Sequence, residues 1–392
     1  MTWWRPAMSD ASQAGSVGLV ETRSARVAET GFSFENGARL PSIRMAYETY
    51  GQLAADGRNS ILVLHGSTGS AHAAGRWRTE DPEPGWADAL IGPHKVFDTD
   101  RYYVVAPNRL CGSFGSDGPN EVNPRTEHRY GFDFPVTSIR DMARADMALL
   151  DYLGVRHVVL VYGVSMGGFQ AAEWAVTFPD VADKIVIDRG NFRSPDLLVA
   201  TTEARTVAIR SDPDWRAGRY AEEGVFPRSG MTIAGMILHL YATSQDAFTS
   251  TFGRSFAGPE GSPYAALEER FASAAALRAS GEAFATSGID PQAYLYNIRA
   301  IALHDVSHGH GSLEAAARRV GARVRFIHCR SDLLVPVEGA READRALRMA
   351  GVDTELYEYD HPLGHLALST SELRRQWMPV LEHFLEDRPG EI

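Results

Sequence analysis

Short apolar runs, separated by turn residues, recur along most of the chain. They are rich in β-branched and aromatic residues, which is typical of strands. Several are apolar at almost every position, as are parallel strands that are covered on both faces. The runs span 60–64, 102–106, 157–162, 184–187, 323–329 and 355–359. With the helical segments between them, they predict an α/β fold in which helices flank a mostly parallel central sheet.

The segment between the second and third runs is predicted to be helical. Ser138 and Asp141 stand in the order of a capping box in which aspartate replaces the usual glutamate. The apolar positions that follow share one helical face. They are Ile139, Ala143, Met147 and Leu150. This helix and its two neighbouring strands form a predicted βαβ unit.

The strand pattern stops between about 190 and 299. Stretches such as "MTIAGMILHLYATS" and "FASAAALRASGEAFA" are rich in helix formers and contain no clear strand. We therefore expect a helical lid inserted over 190–299 into a core formed by 1–189 and 300–392. Residues 1–25 include a small, polar stretch and are expected to be a loose N-terminal arm.

Composition limits the possible partners. The 392 residues are 44% hydrophobic and 23% charged, so the chain can bury a large core, as one domain with an insertion or as two domains. A net charge of −11 without a basic cluster argues against nucleic acid or an anionic membrane as a partner. No apolar run approaches the roughly 18 residues of a membrane helix, and nothing marks a secretion signal. We expect a cytoplasmic protein that acts on a small molecule.

The third run leads into a serine that stands between glycines, in the stretch "VVLVYGVSMGG" at 158–168. Residues 163–167 match G-x-S-x-G, directly after a predicted strand and before a predicted helix. This context predicts a strained turn that projects the hydroxyl of Ser165 above the sheet as a nucleophile. A glycine-rich turn without chemistry is the simpler alternative.

A serine nucleophile needs a histidine base, which in turn needs an acid. Asp332 follows the strand at 323–329, and His365 follows the last strand after turn residues, which is the order expected for this fold. We assign them as acid and base. Asp360 is a rival acid, and His361, next to a proline, is the less favoured histidine.

Two backbone N–H groups should stabilise the oxyanion. The first belongs to Met166, directly after the nucleophile. The second is assigned to Ser67 in "LHGSTG", where Gly66 allows close approach. Ser67 could instead be only a turn residue.

Other polar groups are less informative. His304, His308 and His310 could suggest a metal, but only Asp305 is a nearby carboxylate, and we predict no metal site. No cofactor is expected either. Arg189 and Arg193, past the strand at 184–187, could bind an anion or form ordinary salt bridges.

Several motifs resemble the homoserine O-acetyltransferase family of α/β-hydrolase-fold enzymes. They include "MAYETYG", "LHGSTGSAHAAG", "GVSMGGFQAAEWAVTFPD" and "DLLVPVE" with "PLGH", within a resemblance over about 27–387. The resemblance implies the same triad, Ser165, Asp332 and His365, and a double-displacement reaction through an acyl-serine. It also implies a helical lid and commonly a homodimer.

Three positions depart from that family at the predicted substrate pocket. Gly235 replaces a lid arginine that grips the carboxylate of homoserine. Ala242 stands where the family has a tyrosine, although Tyr241 is adjacent. Leu366 replaces the aspartate that meets the substrate ammonium. Two lost charge contacts predict at least about a hundredfold weaker discrimination for homoserine, unless Arg228 or Arg254 supplies the guanidinium.

These observations lead to three functional hypotheses. The first is a serine-dependent hydrolase of a small carboxylic ester, favoured because the recognisable acceptor site is altered while the reactive groups are intact. The second is an O-acyltransferase, similar to homoserine O-acetyltransferase, that uses acetyl-CoA or a related thioester as a co-substrate and an alcohol as acceptor, with homoserine disfavoured. The third is a catalytically inactive binding protein on the same scaffold.

Overall fold

The computed structural model describes residues 15–257, 264, 267, 270–369 and 371–387. Its strands are β1 (Arg23–Val27), β2 (Phe32–Ser33), β3 (Arg39–Leu40), β4 (Ile43–Tyr50), β5 (Ser60–Leu64), β6 (Ile91–Gly92), β7 (Phe97–Asp98), β8 (Tyr103–Pro107), β9 (Val158–Val164), β10 (Ala182–Asp188), β11 (Arg323–Cys329) and β12 (Thr354–Tyr359). Its helices are α1 (Ile139–Tyr152), α2 (Met166–Thr177), α3 (Asp196–Arg210), α4 (Arg228–Ala242), α5 (Gln245–Phe252), α6 (Ala272–Ala285), α7 (Pro291–Leu303), α8 (Leu313–Ala317), α9 (Val337–Met349) and α10 (Ser371–Glu386). None of the described helices combines the length and apolarity needed to cross a membrane.

Eight strands form the central sheet in the order β1-β4-β8-β5-β9-β10-β11-β12. All neighbours from β8 to β12 are parallel, whereas β4 pairs antiparallel with both β1 and β8. The six predicted strands are the six parallel ones, and β4 was not among the predictions. The predicted α/β-hydrolase architecture, a mostly parallel sheet flanked by helices, is therefore confirmed.

Both faces of the sheet are covered. Leu62 and Leu64 of β5 belong to one apolar cluster, while Ile61 and Val63 belong to a second cluster on the opposite face. This alternation explains why the central strands are apolar at nearly every position. Helix α1 begins with the predicted capping box, since the Asp141 N–H donates to Ser138 Oγ and the Ser138 N–H donates to the Asp141 carboxylate.

Helices α3 to α7 lie between β10 and β11 in sequence. They pack on one another through α3, α4 and α6, around a separate apolar cluster that includes Ile209, Trp215 and Tyr294. No sheet strand occurs among the described residues of 190–303. We call this segment, 190–303, the helical insertion. It ends four residues later than the predicted boundary at 299, because α7 continues to Leu303.

The N-terminal region differs from the predicted loose arm over 1–25. Residues 1–14 lie outside the described residues, but β1 begins at Arg23 and pairs with β4. The reason is that Ala25 and Val27 alternate with exposed residues and bury their side chains against the core.

Candidate active site

The turn between β9 and α2 places Ser165 in a strained conformation, with φ 57° and ψ −120°. The positions two residues before and after Ser165 must be glycines for steric reasons. A Cβ on Gly163 would lie 2.0 Å from the Gly167 carbonyl oxygen, and a Cβ on Gly167 would lie 2.1 Å from the Leu64 carbonyl oxygen. The sequence therefore folds into a tight elbow that holds the serine hydroxyl at the carboxyl edge of the sheet.

The structure brings Ser165, His365 and Asp332 together. His365 Nε2 lies 2.8 Å from Ser165 Oγ, and His365 Nδ1 lies 2.7 Å from Asp332 Oδ2. The other carboxylate oxygen of Asp332 accepts hydrogen bonds of 2.9 Å from the N–H groups of Leu334 and Val335. Because the carboxylate can only accept, Nδ1 carries the proton and Nε2 is left to accept the serine proton. His365 and Asp332 are both buried.

The two rival residues point elsewhere. Asp360 is exposed and pairs with Arg330 at the surface. His361 Nδ1 accepts a hydrogen bond of 3.1 Å from the Leu363 N–H. Neither residue lines the cavity that contains Ser165.

Of the two residues assigned to the oxyanion site, Met166 directly follows Ser165, and Ser67 belongs to a loop near it. Met166 is the first residue of α2, so its N–H has no partner within the helix and lies at the positive, N-terminal end of the helix. Ser67 lies in the loop after β5 and lines the same cavity as Ser165. The loop backbone is close, because a Cβ on Gly66 would lie 4.0 Å from Ser165 Oγ.

A cavity of about 590 Å³ opens above these groups, between the sheet edge and the helical insertion. Its floor contains Ser67, Ser165 and His365, and its opposite wall comes from α4 and α6. Most of the lining is apolar. The large apolar side chains are Trp86, Leu90, Leu238, Phe284, Ile289, Leu334, Leu366 and Trp377.

Of the three predicted pocket residues, only Leu366 lines this cavity; Gly235 and Tyr241 do not. Gly235 instead lies at the contact between α4 and α6, where a Cβ would come within 2.6 Å of Phe284 Cβ. Tyr241 packs against the main apolar cluster of the core. The sequence alone could not show which face of α4 carries Gly235 or Tyr241, because α4 packs against both α3 and α6.

Arg228 and Arg254, the alternative sources of a guanidinium, are exposed and do not line the cavity. Arg189 does line it, but its Nε is 2.7 Å from Asp188 Oδ1, and Nη1 donates to the His365 carbonyl oxygen. Of the two possibilities for Arg189, anion binding or a salt bridge, the structure places it in a buried ion pair that also supports the backbone of the base.

Arg109 was not singled out from the sequence. Its side chain is buried behind the loop that carries Ser67 and donates to backbone carbonyls there. The surrounding "NRLCGSFG" has loop composition and gives no signal that the arginine faces inward.

The histidine group at 304–310 is not gathered around a common point. His304 is buried, stacks on Phe169, and its Nε2 donates to the Asn191 carbonyl oxygen at 2.8 Å. Within the described residues, the side chains that could jointly hold a metal are His94, Asp98 and Asp100, away from the cavity. There, Asp98 already accepts the N–H groups of the other two residues.

The chain is similar to known proteins over most of its length. Residues 59–368 match the alpha/beta hydrolase fold family. The homoserine O-acetyltransferase of Geobacter sulfurreducens is 38% identical over 374 residues, which cover 94% of this chain and 98% of that protein. The structure of homoserine O-acetyltransferase from Bacillus anthracis aligns with a TM-score of 0.88 and 29% identity, covering 95% of this chain and 100% of that one. The structure of esterase E22 aligns with a TM-score of 0.85 and 30% identity, covering 94% of this chain and 100% of that one.

These relatives overturn the first functional hypothesis. A plain ester hydrolase was favoured from sequence, but the relative that is 38% identical over nearly the whole chain carries the name of an acyltransferase. The prediction of a hydrolase was wrong because altered acceptor contacts change which acceptor fits, and they do not decide whether water takes its place. The chain belongs to the homoserine O-acetyltransferase family of α/β-hydrolase-fold enzymes.

Proposed function

We propose that this enzyme is an O-acyltransferase that moves an acetyl group from acetyl-CoA to the hydroxyl of a small alcohol through an acyl-serine. The observation that carries this proposal is the hydrogen-bonded series Ser165, His365 and Asp332 at the floor of a largely apolar cavity. Acetyl-CoA is a co-substrate in this scheme, and no cofactor or metal takes part.

In the first half-reaction, Ser165 Oγ attacks the thioester carbonyl while His365 Nε2 takes the hydroxyl proton. The negative charge that develops on the carbonyl oxygen is stabilised by the N–H groups of Met166 and Ser67. The C–S bond then breaks, and His365 returns the proton to the thiolate of coenzyme A. Asp332 stabilises the imidazolium and keeps it oriented.

In the second half-reaction, the acceptor hydroxyl replaces coenzyme A. His365 takes its proton, the acceptor oxygen attacks the acetyl carbonyl, and the proton returns to Ser165 Oγ as the product ester leaves. Transfer must outcompete hydrolysis by water. We propose that the helical insertion acts as a lid, because Leu238 of α4 and Phe284 of α6 give the cavity an apolar wall.

The cavity favours an acceptor without the charges of an amino acid. Among the lining residues that the structure describes, Arg189 is the one arginine or lysine, and it is already paired with Asp188. The described lining residues include no carboxylate, and Leu366 lies beside the base. An ammonium group would lose its hydration here without gaining a partner of opposite charge, which is costly in a largely apolar site. We propose a small neutral alcohol as the preferred acceptor.

The test is an acceptor panel with acetyl-CoA, in which esters and free acetate are followed by mass spectrometry. Homoserine is compared with neutral alcohols of similar length. Acetyl transfer to a neutral alcohol is expected, together with an acetyl adduct on Ser165 that the Ser165→Ala variant lacks. Release of acetate alone with every acceptor would refute the transferase.

Leu366→Asp tests the acceptor class separately. It places a carboxylate beside His365, so the ratio of homoserine to neutral-alcohol turnover should rise by about tenfold. Leu366→Asn is the uncharged control and should leave the ratio near that of the wild type. Efficient acetylation of homoserine by the wild type would contradict the neutral acceptor but not the transferase.

A further inference from the structure

The loop that carries Ser67 is held by the buried guanidinium of Arg109. Arg109 lies just after β8 and is only 2% exposed. Its Nη1 donates to the Gly66 carbonyl oxygen at 3.1 Å, and its Nη2 donates to the His65 carbonyl oxygen. The fork of the guanidinium thus spans two consecutive carbonyls of this loop.

The Gly66 carbonyl also accepts hydrogen bonds from the His65 ring and, at 3.1 Å, from the Gly69 N–H. His65 Nδ1 lies 2.8 Å from the Gly66 oxygen, while the Arg109 N–H donates to His65 Nε2 at 3.4 Å. The second contact leaves the ring proton on Nδ1. Burial and the charge of Arg109 hold the pKa of His65 well below its ordinary value, so the ring is a neutral donor.

The Gly66 carbonyl and the Ser67 N–H belong to the same peptide unit. No peptide bond among the described residues is cis, and in a planar trans peptide the C=O and N–H point in opposite directions. Fixing the carbonyl toward Arg109, His65 and the Gly69 N–H therefore fixes the Ser67 N–H on the opposite side. Donors on the carbonyl also polarise the N–H and strengthen the hydrogen bond that it donates.

We propose that Arg109 is a positioning residue that orients and polarises the Ser67 N–H toward the oxyanion formed during acylation of Ser165. It acts through the peptide between Gly66 and Ser67 and does not touch the substrate. This inference rests on the proposed acyl-serine reaction. A positive charge placed one peptide away assists the developing negative charge without forming a direct pair that would need to be broken.

The charge of Arg109 is maintained within the core. Burial lowers its pKa to about 9, which still leaves it protonated at neutral pH, and the charge of Asp146 acts in the opposite direction. Asp146 itself accepts hydrogen bonds from Gln170 and Trp174. Burial raises the pKa of Asp146 to about 7, and removing the Arg109 charge would favour its protonated form further. The test therefore includes a compensated variant in which Asp146→Asn keeps this position neutral.

The experiment compares Arg109→Met, Arg109→Lys and the double variant Arg109→Met/Asp146→Asn with the wild type. Three quantities are measured: the rate of acetyl-Ser165 formation at saturating acetyl-CoA, the Ki of a trifluoromethyl ketone, and the Kd of S-ethyl-CoA. The ketone forms a tetrahedral oxyanion adduct with serine, whereas the thioether binds without one. Arg205→Met is the matched control, since Arg205 is a buried arginine of α3 that bonds to Thr201 and Tyr294.

In both Arg109→Met backgrounds, we expect the acylation rate to fall by about tenfold or more and the Ki of the ketone to rise by a similar factor. The Kd of the thioether should stay within about twofold, because it contains no oxyanion. Arg109→Lys should recover part of the loss. Arg205→Met should lower the melting temperature without changing the Ki.

An unchanged Ki in folded Arg109→Met or in the double variant would overturn the proposal. An equal rise in Ki for Arg205→Met would overturn it as well, since general destabilisation would then explain the effect. If the wild type forms no acetyl-enzyme, the proposed function fails, while the affinity for the ketone still decides the role of Arg109.

Discussion

Individual hydrogen bonds distinguish the carboxylate that orients His365 from another carboxylate that lies closer to His365 in sequence. Asp332 is buried, bonds to His365 and is itself held by the N–H groups of Leu334 and Val335. Asp360 lies closer to His365 in sequence, yet its carboxylate pairs with Arg330 at the surface. Distance along the chain is therefore a poor guide to which acid orients the base.

Asp332→Asn should lower kcat by about 10³ to 10⁴, because the amide can donate to Nδ1 and so stabilise the wrong imidazole tautomer. Asp360→Asn is the matched control and should stay within about twofold of the wild type. Both variants are compared by steady-state kinetics with acetyl-CoA. A large loss in Asp360→Asn, with little loss in Asp332→Asn, would reverse the assignment.

Among the secondary-structure elements, α4 and α6 pack so closely that Gly235 has no room for a side chain. An added Cβ would lie 2.6 Å from Phe284 Cβ and 2.9 Å from its Cγ. The same two helices form the outer wall of the cavity through Leu238 and Ala283. The glycine thus sets the spacing of this wall, which is a packing role distinct from the substrate contact expected from sequence.

Gly235→Ala should reduce the free energy of unfolding by about 1 to 3 kcal/mol, because the new methyl group overpacks the helix contact. Ser229→Ala is the control, since Ser229 is exposed on the same helix and alanine is a better helix former. Urea unfolding of both variants checks this. Equal or higher stability of Gly235→Ala would show that α6 can move away at no cost.

The parallel strands and the first helix could be predicted from sequence because their signals are local. Continuous apolar runs marked the strands, and Ser138 with Asp141 marked the start of α1. The sequence gives no clear signal for β4, because its residues are neither continuously apolar nor strictly alternating, and the burial of Glu48 depends on partners distant in sequence.

The candidate site was predictable to a similar extent. Ser165, Asp332 and His365 each follow a strand, and strand edges converge in a parallel sheet. The roles of Arg109 and Gly235 could not be predicted, because each depends on which loop or helix packs opposite.

At the scale of the whole molecule, His304 joins the helical insertion to the core. It follows α7, stacks on Phe169 of α2 and bonds to the Asn191 carbonyl oxygen after β10. Burial lowers its pKa to about 4, so the folded protein keeps the ring neutral where the unfolded chain binds a proton. Glu173 lies 3.7 Å from Nδ1, and burial raises the pKa of this carboxyl to about 7.

The stability contributed by a neutral His304 is therefore fully present above about pH 6.5 and is lost as the pH falls toward 4. Relative to His304→Gln, the wild type should lose up to about 1.4 kcal/mol of unfolding free energy for each pH unit in this window. His308→Gln, at an exposed position, should follow the wild type. Parallel plots of unfolding free energy against pH for the wild type and His304→Gln would contradict the prediction.

The two ends of the helical insertion run side by side where they leave the core. The Ser194 N–H donates to the His304 carbonyl oxygen at 3.0 Å, and the Val306 N–H donates to the Phe192 carbonyl oxygen at 2.9 Å. A segment whose ends already meet can be exchanged as a cassette, because the closure of the junction does not depend on what lies between. Chimaeras joined at these paired residues would let acceptor preference be transplanted between relatives while the sheet and its nucleophile stay in place.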